Sequence, residues 1–143
     1  MSKKPRVSPE AKVNELLYLL QVYEAQLKTL ENQLSLINLR LQELKAAKEF
    51  LTSLSSLDLN TELLFPIGGG VFIRGKVIDK ENVLMEIGAN VVVKRGLNES
   101  SETVNNDIMD LENTKKQIEQ QTMQLLNKYE ELRRLLEQYL GRK

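Results

Sequence analysis

Apolar residues recur in a four-three alternation through the first third of the chain. Val13, Leu16, Leu20, Tyr23, Leu27, Leu30, Leu34, Ile37, Leu41, Leu44 and Leu51 keep the step, and only Lys48 breaks it. A repeat sustained over this length predicts a coiled-coil helix with its apolar seam turned toward a partner. Ser8 before Pro9 suits an N-cap followed by the first helical position. The helix is expected to fade in TSLSSLDLN, where Ser, Asp and Asn side chains compete for backbone hydrogen bonds.

The last third repeats the pattern. Val104, Ile108, Leu111, Ile118, Leu125, Tyr129, Leu132, Leu136 and Tyr139 hold the alternation, with Lys115 and Thr122 as exceptions. Asn98 to Ser101 supply capping residues at its start. Gly141 stands where the helix would end, with Arg142 and Lys143 suited to the negative end of its dipole. Each helix would run for about 40 residues, or roughly 60 Å. A heptad stripe needs a partner. The simplest one is the other flank of the same chain, giving an antiparallel pair; a parallel homodimer of each helix would leave the centre awkwardly placed.

Between the flanks the period changes. ELLFPI, VFIRGKVI, VLMEI and VVVKR are short runs rich in Val, Ile and Phe, and six of the seven glycines fall between Gly68 and Gly96. In VFIRGKVI, Val71, Ile73 and Val77 share one face, and Phe72, Arg74, Lys76 and Ile78 the other. Asp79 to Asn82 read as a four-residue turn and Gly88 to Asn90 as a three-residue one, so four strands make two β-hairpins. Such a sheet is marginal alone, apolar on both faces and open at its edges. It calls for partners, and strands from several subunits closing into a barrel would remove the edges. The residues assigned to this oligomerisation module are Phe65, Val71, Phe72, Ile73, Val77, Ile78, Val83, Leu84, Met85, Ile87, Val91, Val92 and Val93.

Gly70 to Val77, GVFIRGKV, falls one residue short of the P-loop pattern. Val77 stands where a Ser or Thr must ligate Mg²⁺, and no helix follows to hold a phosphate. Gly68 to Gly70 are better read as a turn or bulge, and Gly75 as a point of strand bending. The chain also has no Cys and no His, which removes the usual zinc ligands, Cys nucleophiles and the commonest general base. Adjacent carboxylates such as Glu130 and Glu131 point apart on a helix. No catalytic, cofactor or metal site is expected, and the chain is not read as an enzyme.

Charge narrows the field further. Lys plus Arg equals Asp plus Glu, with 20 of each. A balanced chain does not suggest nucleic-acid or membrane-surface binding. Lys3, Lys4 and Arg6 before the apolar LLYLLQV loosely imitate a signal peptide, but Glu10 and Glu15 intervene and no small-residue cleavage site follows. The sequon Asn98-Glu99-Ser100 is read as chance. A cytoplasmic protein is expected.

The end where the start of the first helix meets the end of the second carries more apolar residues than a seam needs. Leu17, Leu19, Val22 and Tyr18 lie off the repeat on one helix, and Leu126, Leu135 and Leu140 on the other. An exposed apolar patch marks a binding site; alternatively these residues widen the seam or lie under another coiled coil. Leu36 and Leu39 also lie off the repeat, with no role assigned.

Helix, two hairpins and helix, with apolar ends, resemble the prefoldin family and within it the alpha-type chains. The most distinctive part is FPIGGGVFIRGKV followed by VLMEIGANVVVKR. Alpha-type chains carry two hairpins between their helices, beta-type chains one. The resemblance implies an α+β, mainly α fold: a long antiparallel two-helix coiled coil with two central hairpins that assemble into an intersubunit β-barrel. It treats residues 1–143 as one domain, with helices at 9–56 and 101–140 and hairpins at 61–96. It implies an ATP-independent holdase that binds unfolded proteins and passes them to a group II chaperonin. Its partners would be prefoldin beta subunits, four to every two alpha. The client-binding residues it implies are Val13, Leu16, Leu17, Leu19, Leu20, Leu135, Leu136, Tyr139 and Leu140. The rival is a coiled-coil tether whose apolar end docks on one folded partner.

Overall fold

The computed structural model describes residues 8–141; Lys3, Lys4, Arg6, Arg142 and Lys143 lie outside them. The elements run α1 (Pro9–Leu54), β1 (Leu63–Gly68), β2 (Val71–Gly75), β3 (Asn82–Gly88), β4 (Val91–Gly96) and α2 (Leu97–Leu140). Ser8 caps α1: its hydroxyl oxygen accepts from the Ala11 amide at 3.1 Å, and Pro9 opens the first turn. At the other end Ser55 and Ser56 turn their hydroxyls back onto carbonyls of Thr52 and Ser53, and α1 stops at Leu54.

The chain divides into two compact units. Among the described residues, one comprises residues 8–39 and 112–141, the other residues 40–111. In the first, α1 and α2 pair antiparallel along the seam. Of the eleven α1 seam residues eight lie in this unit and Leu41, Leu44 and Leu51 in the other. All are buried or half-buried, and so are those of α2 apart from Tyr139, with Val104, Ile108 and Leu111 in the second unit. Lys48 is exposed, as a break in the repeat should be. Thr122, the polar seam residue of α2, satisfies its hydroxyl on the Ile118 carbonyl at 2.8 Å.

The second unit holds both hairpins. β1 pairs antiparallel with β2 and β3 with β4, as two separate two-stranded ribbons. They are built alike: Ile67-Gly68-Gly69-Gly70-Val71 in one corresponds to Ile87-Gly88-Ala89-Asn90-Val91 in the other. Each has a register shift just before the turn, between Pro66 and Gly68 and between Glu86 and Gly88. Each closes with a two-residue loop in which both residues have positive φ: 59° and 76° at Gly69 and Gly70, 49° and 62° at Ala89 and Asn90. That mirror-image turn matches the right-handed strand twist. The expected three-residue turn at Gly88 to Asn90 is thus a two-residue loop, because Gly88 is already paired with Val91.

Two further boundaries differ from expectation. β2 stops at Gly75, so Val77 and Ile78 are not strand residues. β1 begins only at Leu63, opposite Gly75, and offers Lys76 and beyond no partner. The α2 helix starts at Leu97, directly after β4, rather than at 101. Asn98 and Ser101 therefore sit within its first turns, and the fully buried Ser100 donates its hydroxyl to the Gly96 carbonyl at 2.8 Å.

Candidate functional site

Two regions carry the residues singled out from the sequence, one in each unit. In the first unit, Leu16, Leu20 and Leu136 form a buried cluster, with Val13, Tyr129, Leu132 and Leu135 packed against it. Leu16 is only 1% exposed. Three of the expected client-binding residues, Leu16, Leu20 and Leu136, are therefore interior. Their seam positions turn them toward the opposite helix. Val13, Leu19 and Leu135 are half-buried. Leu17, Tyr139 and Leu140 are exposed, and so is Tyr18 at 65%, a residue the implied set omitted. Its off-seam position was the signal. Pro9, Glu10, Val13, Asn14, Tyr139 and Leu140 line one shallow groove, which brings the start of α1 against the end of α2.

The cluster is bounded by a polar contact. The Tyr129 hydroxyl donates to a Glu24 carboxylate oxygen at 2.7 Å, linking the two helices. That hydrogen bond to the carboxylate, helped by desolvation, raises the phenol above its ordinary value near 10. At the very end of α2 the Gly141 amide donates to the Glu137 carbonyl at 2.6 Å, and a Cβ at this position would collide with that oxygen.

In the second unit, cross-strand pairing sorts the hairpin residues by face. On β1–β2, Leu64, Pro66, Phe72 and Arg74 share one face; Leu63, Phe65, Ile73 and Gly75 share the other. On β3–β4, Leu84, Glu86, Val92 and Lys94 oppose Val83, Met85, Val93 and Arg95. Phe65, Val83, Met85 and Val93 are half-buried, and Val83 and Met85 border a groove shared with Leu44, Phe50, Leu51 and Val104. Val71, Phe72, Ile73, Leu84, Ile87, Val91 and Val92 are exposed, Leu84 at 73%. Val77 is half-buried and Ile78 is 91% exposed, both in the connection after β2. Leu64 and Ile67, absent from the expected set, are exposed as well. Their place in the same alternating run was the available signal.

Gly75 has a packing reason. A Cβ there would stand 2.9 Å from the ring of Phe65, which lies across it from the neighbouring strand. The connection between the hairpins is tied down by Asp79. Its carboxylate accepts from the Glu81 amide at 2.8 Å and the Asn82 amide at 3.1 Å. These backbone donors hold its carboxyl below the usual carboxylate value. GVFIRGKV forms a turn residue, a strand and the start of this connection, with no helix behind it. Among the described residues, no group of Asp and Glu is arranged to hold a metal ion, and no helix is long and apolar enough to cross a membrane.

Two long helices, paired antiparallel within one unit, and two apolar strand ribbons in the other define a class: coiled-coil chains with a strand module between their helices in the sequence. A family model described as Prefoldin subunit matches residues 23–142. The chain belongs to the prefoldin family, a family of chaperone subunits. It is 37% identical to prefoldin subunit alpha 1 of Thermococcus kodakarensis over 91 residues, 64% of this chain and 62% of that one. That alignment spans less than two thirds of the relative's length. A putative prefoldin subunit alpha of Aquifex aeolicus is 31% identical over 130 residues, covering 91% of this chain and 87% of the relative. Among solved structures, a chain of filamentous PFD from Methanocaldococcus jannaschii superposes with a TM-score of 0.67 at 24% identity, covering 83% of this chain and 96% of that one. The prefoldin beta subunit from Thermococcus strain KS-1 gives 0.62 at 21% identity, with 98% and 100% covered. At these identities the structures speak to the fold.

Proposed function

We propose that this chain is the alpha-type subunit of an ATP-independent holdase. It joins beta-type subunits through its hairpins, two alpha to four beta, holds unfolded proteins at the end of its coiled coil, and passes them to a group II chaperonin. The observation that carries the reading is the set of exposed apolar side chains where α1 begins and α2 ends: Leu17, Tyr18, Tyr139 and Leu140, the last 66% exposed. Large apolar side chains left in water beside a completed core mark a surface kept for a partner.

The work asked of this surface needs no covalent chemistry. Each Leu or Tyr removes a modest apolar area of the client from water, and several such ends acting together supply avidity while every single contact stays reversible. Shielding exposed apolar segments from one another slows their aggregation. Val13, Leu19 and Leu135, half-buried beside the patch, extend it when a client approaches. Leu16, Leu20 and Leu136 support it from beneath. The hairpins' outer faces, with Leu64, Phe72, Leu84 and Val92, are the assembly surface, and closure of strands from several subunits into a barrel covers their open edges.

The test is aggregation of a chemically unfolded client on dilution, without ATP. The full-length chain with its beta-type partner is compared with a version lacking the residues before Val22 and after Asn127. Protection by the full-length assembly, lost on truncation while the assembly stays intact, is expected. Equal protection by both would place the client surface on the strand body or the partner subunits. Protection by neither would overturn the holdase reading in favour of a tether to one folded protein.

A further inference from the structure

The two hairpins are alike in their turns but not at their roots. The second ribbon is rooted by direct junctions. β4 runs into α2 without a break, Asn82 pairs with Gly96, and the Leu97 amide donates to the Glu81 carbonyl at 2.8 Å. The first ribbon has no such junction. The chain enters it from the end of α1 through residues 55–62 and leaves it through residues 76–81, and the β1–β2 ladder extends to neither stretch. A two-stranded ribbon is marginal alone. An exposed Glu62–Arg74 ion pair at 3.4 Å joins its entry to β2, and Phe50 of α1 lines a shallow groove with Leu63, Leu64, Phe65 and Pro66, but no ladder bond fixes its exit.

One side chain closes that gap. The Lys80 ammonium donates to the Leu57 carbonyl at 2.5 Å and reaches the Ser55 carbonyl at 3.4 Å. These oxygens lie just past Leu54, at the negative end of the α1 dipole, and the last turn of α1 contains no basic residue of its own. The cation the helix end calls for arrives from the far side of the hairpin. The Asp79 carboxylate, gripping the Glu81 and Asn82 amides, holds Lys80 in the connection from which it can reach. Lysine suits the task. Its long stem spans the gap, and its three donors can serve more than one carbonyl at once.

We infer that Lys80 is a positioning residue that closes the base of the β1–β2 ribbon on the end of α1, and so sets that ribbon's attitude for joining partner strands. The inference rests on the reading that the hairpins are the assembly module, but its first test does not. That test is hydrogen exchange on the full-length chain, comparing wild type, Lys80→Met and Lys80→Arg. In Lys80→Met, which keeps the stem and loses the donors, the amides of Leu63–Gly75 are expected to exchange about tenfold faster. Those of Asn82–Gly96 and of residues 9–39 should stay within twofold of wild type. Lys80→Arg retains charge and donors and should restore most of the protection. The second test is association with the beta-type partner, which Lys80→Met should weaken by about tenfold and Lys80→Arg by much less.

Unchanged exchange in the first ribbon would overturn the inference, as would an equal rise in both ribbons, which marks general loosening. Equal loss with Met and Arg would overturn it too, because the amine would then not be the cause. Faster exchange confined to the first ribbon with normal association would remove the role in assembly. A chain that assembles normally yet protects no client would sink the holdase reading and leave this one standing.

Discussion

Leu16 and Tyr18 are two positions apart and do opposite jobs. Leu16 is enclosed by the facing helix, whereas the Tyr18 ring stands in water. Truncating a buried leucine loses its transfer free energy and leaves a cavity, about 2–5 kcal/mol. Leu16→Ala is therefore expected to loosen the coil end by that order, read as a lower melting temperature and faster exchange over residues 13–23. Tyr18→Ser should leave stability within about 0.5 kcal/mol and instead weaken protection of an unfolded client. Equal effects on stability would mean that Tyr18 packs in solution. Tyr129 adds a pH dependence. Its folded value is raised, so the bond to Glu24 contributes stability that is fully present below the ordinary phenol value near 10 and lost as pH climbs through the folded value. Wild type is expected to lose stability above about pH 10 more steeply than Tyr129→Phe, as followed by circular dichroism; parallel curves would refute the coupling.

At the scale of elements, the two hairpins provide a controlled comparison. Both turns require positive φ at two successive residues. One meets the requirement with Gly69 and Gly70, the other with Ala89 and Asn90. Asn tolerates the left-handed region; Ala carries the steric cost of its Cβ, about 1–2 kcal/mol, part of which glycine would return as chain entropy. Ala89→Gly is expected to stabilise the β3–β4 ribbon by about 0.5–1 kcal/mol, measured as slower exchange over Asn82–Gly96. Gly69→Val should destabilise the other ribbon by more. If Ala89→Gly proves neutral or harmful, the turn in solution is not of this type. The element scale also shows where period alone fails. VFIRGKVI alternates as far as Ile78, yet β2 ends at Gly75, because a strand lasts only as long as its neighbour, and β1 begins at Leu63.

At the scale of the whole molecule, the two units have different relations to the chain's own apolar surface. The coiled-coil unit satisfies its seam internally and leaves an excess at its end. The strand unit leaves apolar residues in water on both ribbons, and among the described residues each ribbon has only two strands, so its outer edges have no strand partner. Such a unit is expected to self-associate when the chain is alone, and light scattering at micromolar concentration should find species larger than a monomer. Leu64→Glu combined with Phe72→Glu places two charges on one face of the first ribbon and should return the chain to smaller species without reducing helix content. A double variant of unchanged size would mean that this face is not the contact.

The sequence by itself determined the seam. From Val13 to Leu51 and from Val104 to Leu136, every apolar residue of the four-three repeat lies buried or half-buried, because a helical period leaves only one face to cover. It also determined that the glycine-rich centre makes two hairpins, and that GVFIRGKV lacks the setting of a phosphate loop. Tertiary structure decided which apolar residues remain outside. Leu16, Leu20 and Leu136 are as apolar as Leu17 and Leu140, and only the facing helix separates support from surface. It also decided the reach of Lys80 back to Leu57, 23 residues away. No local pattern encodes a contact of that kind, because it depends on where a whole ribbon brings the chain back.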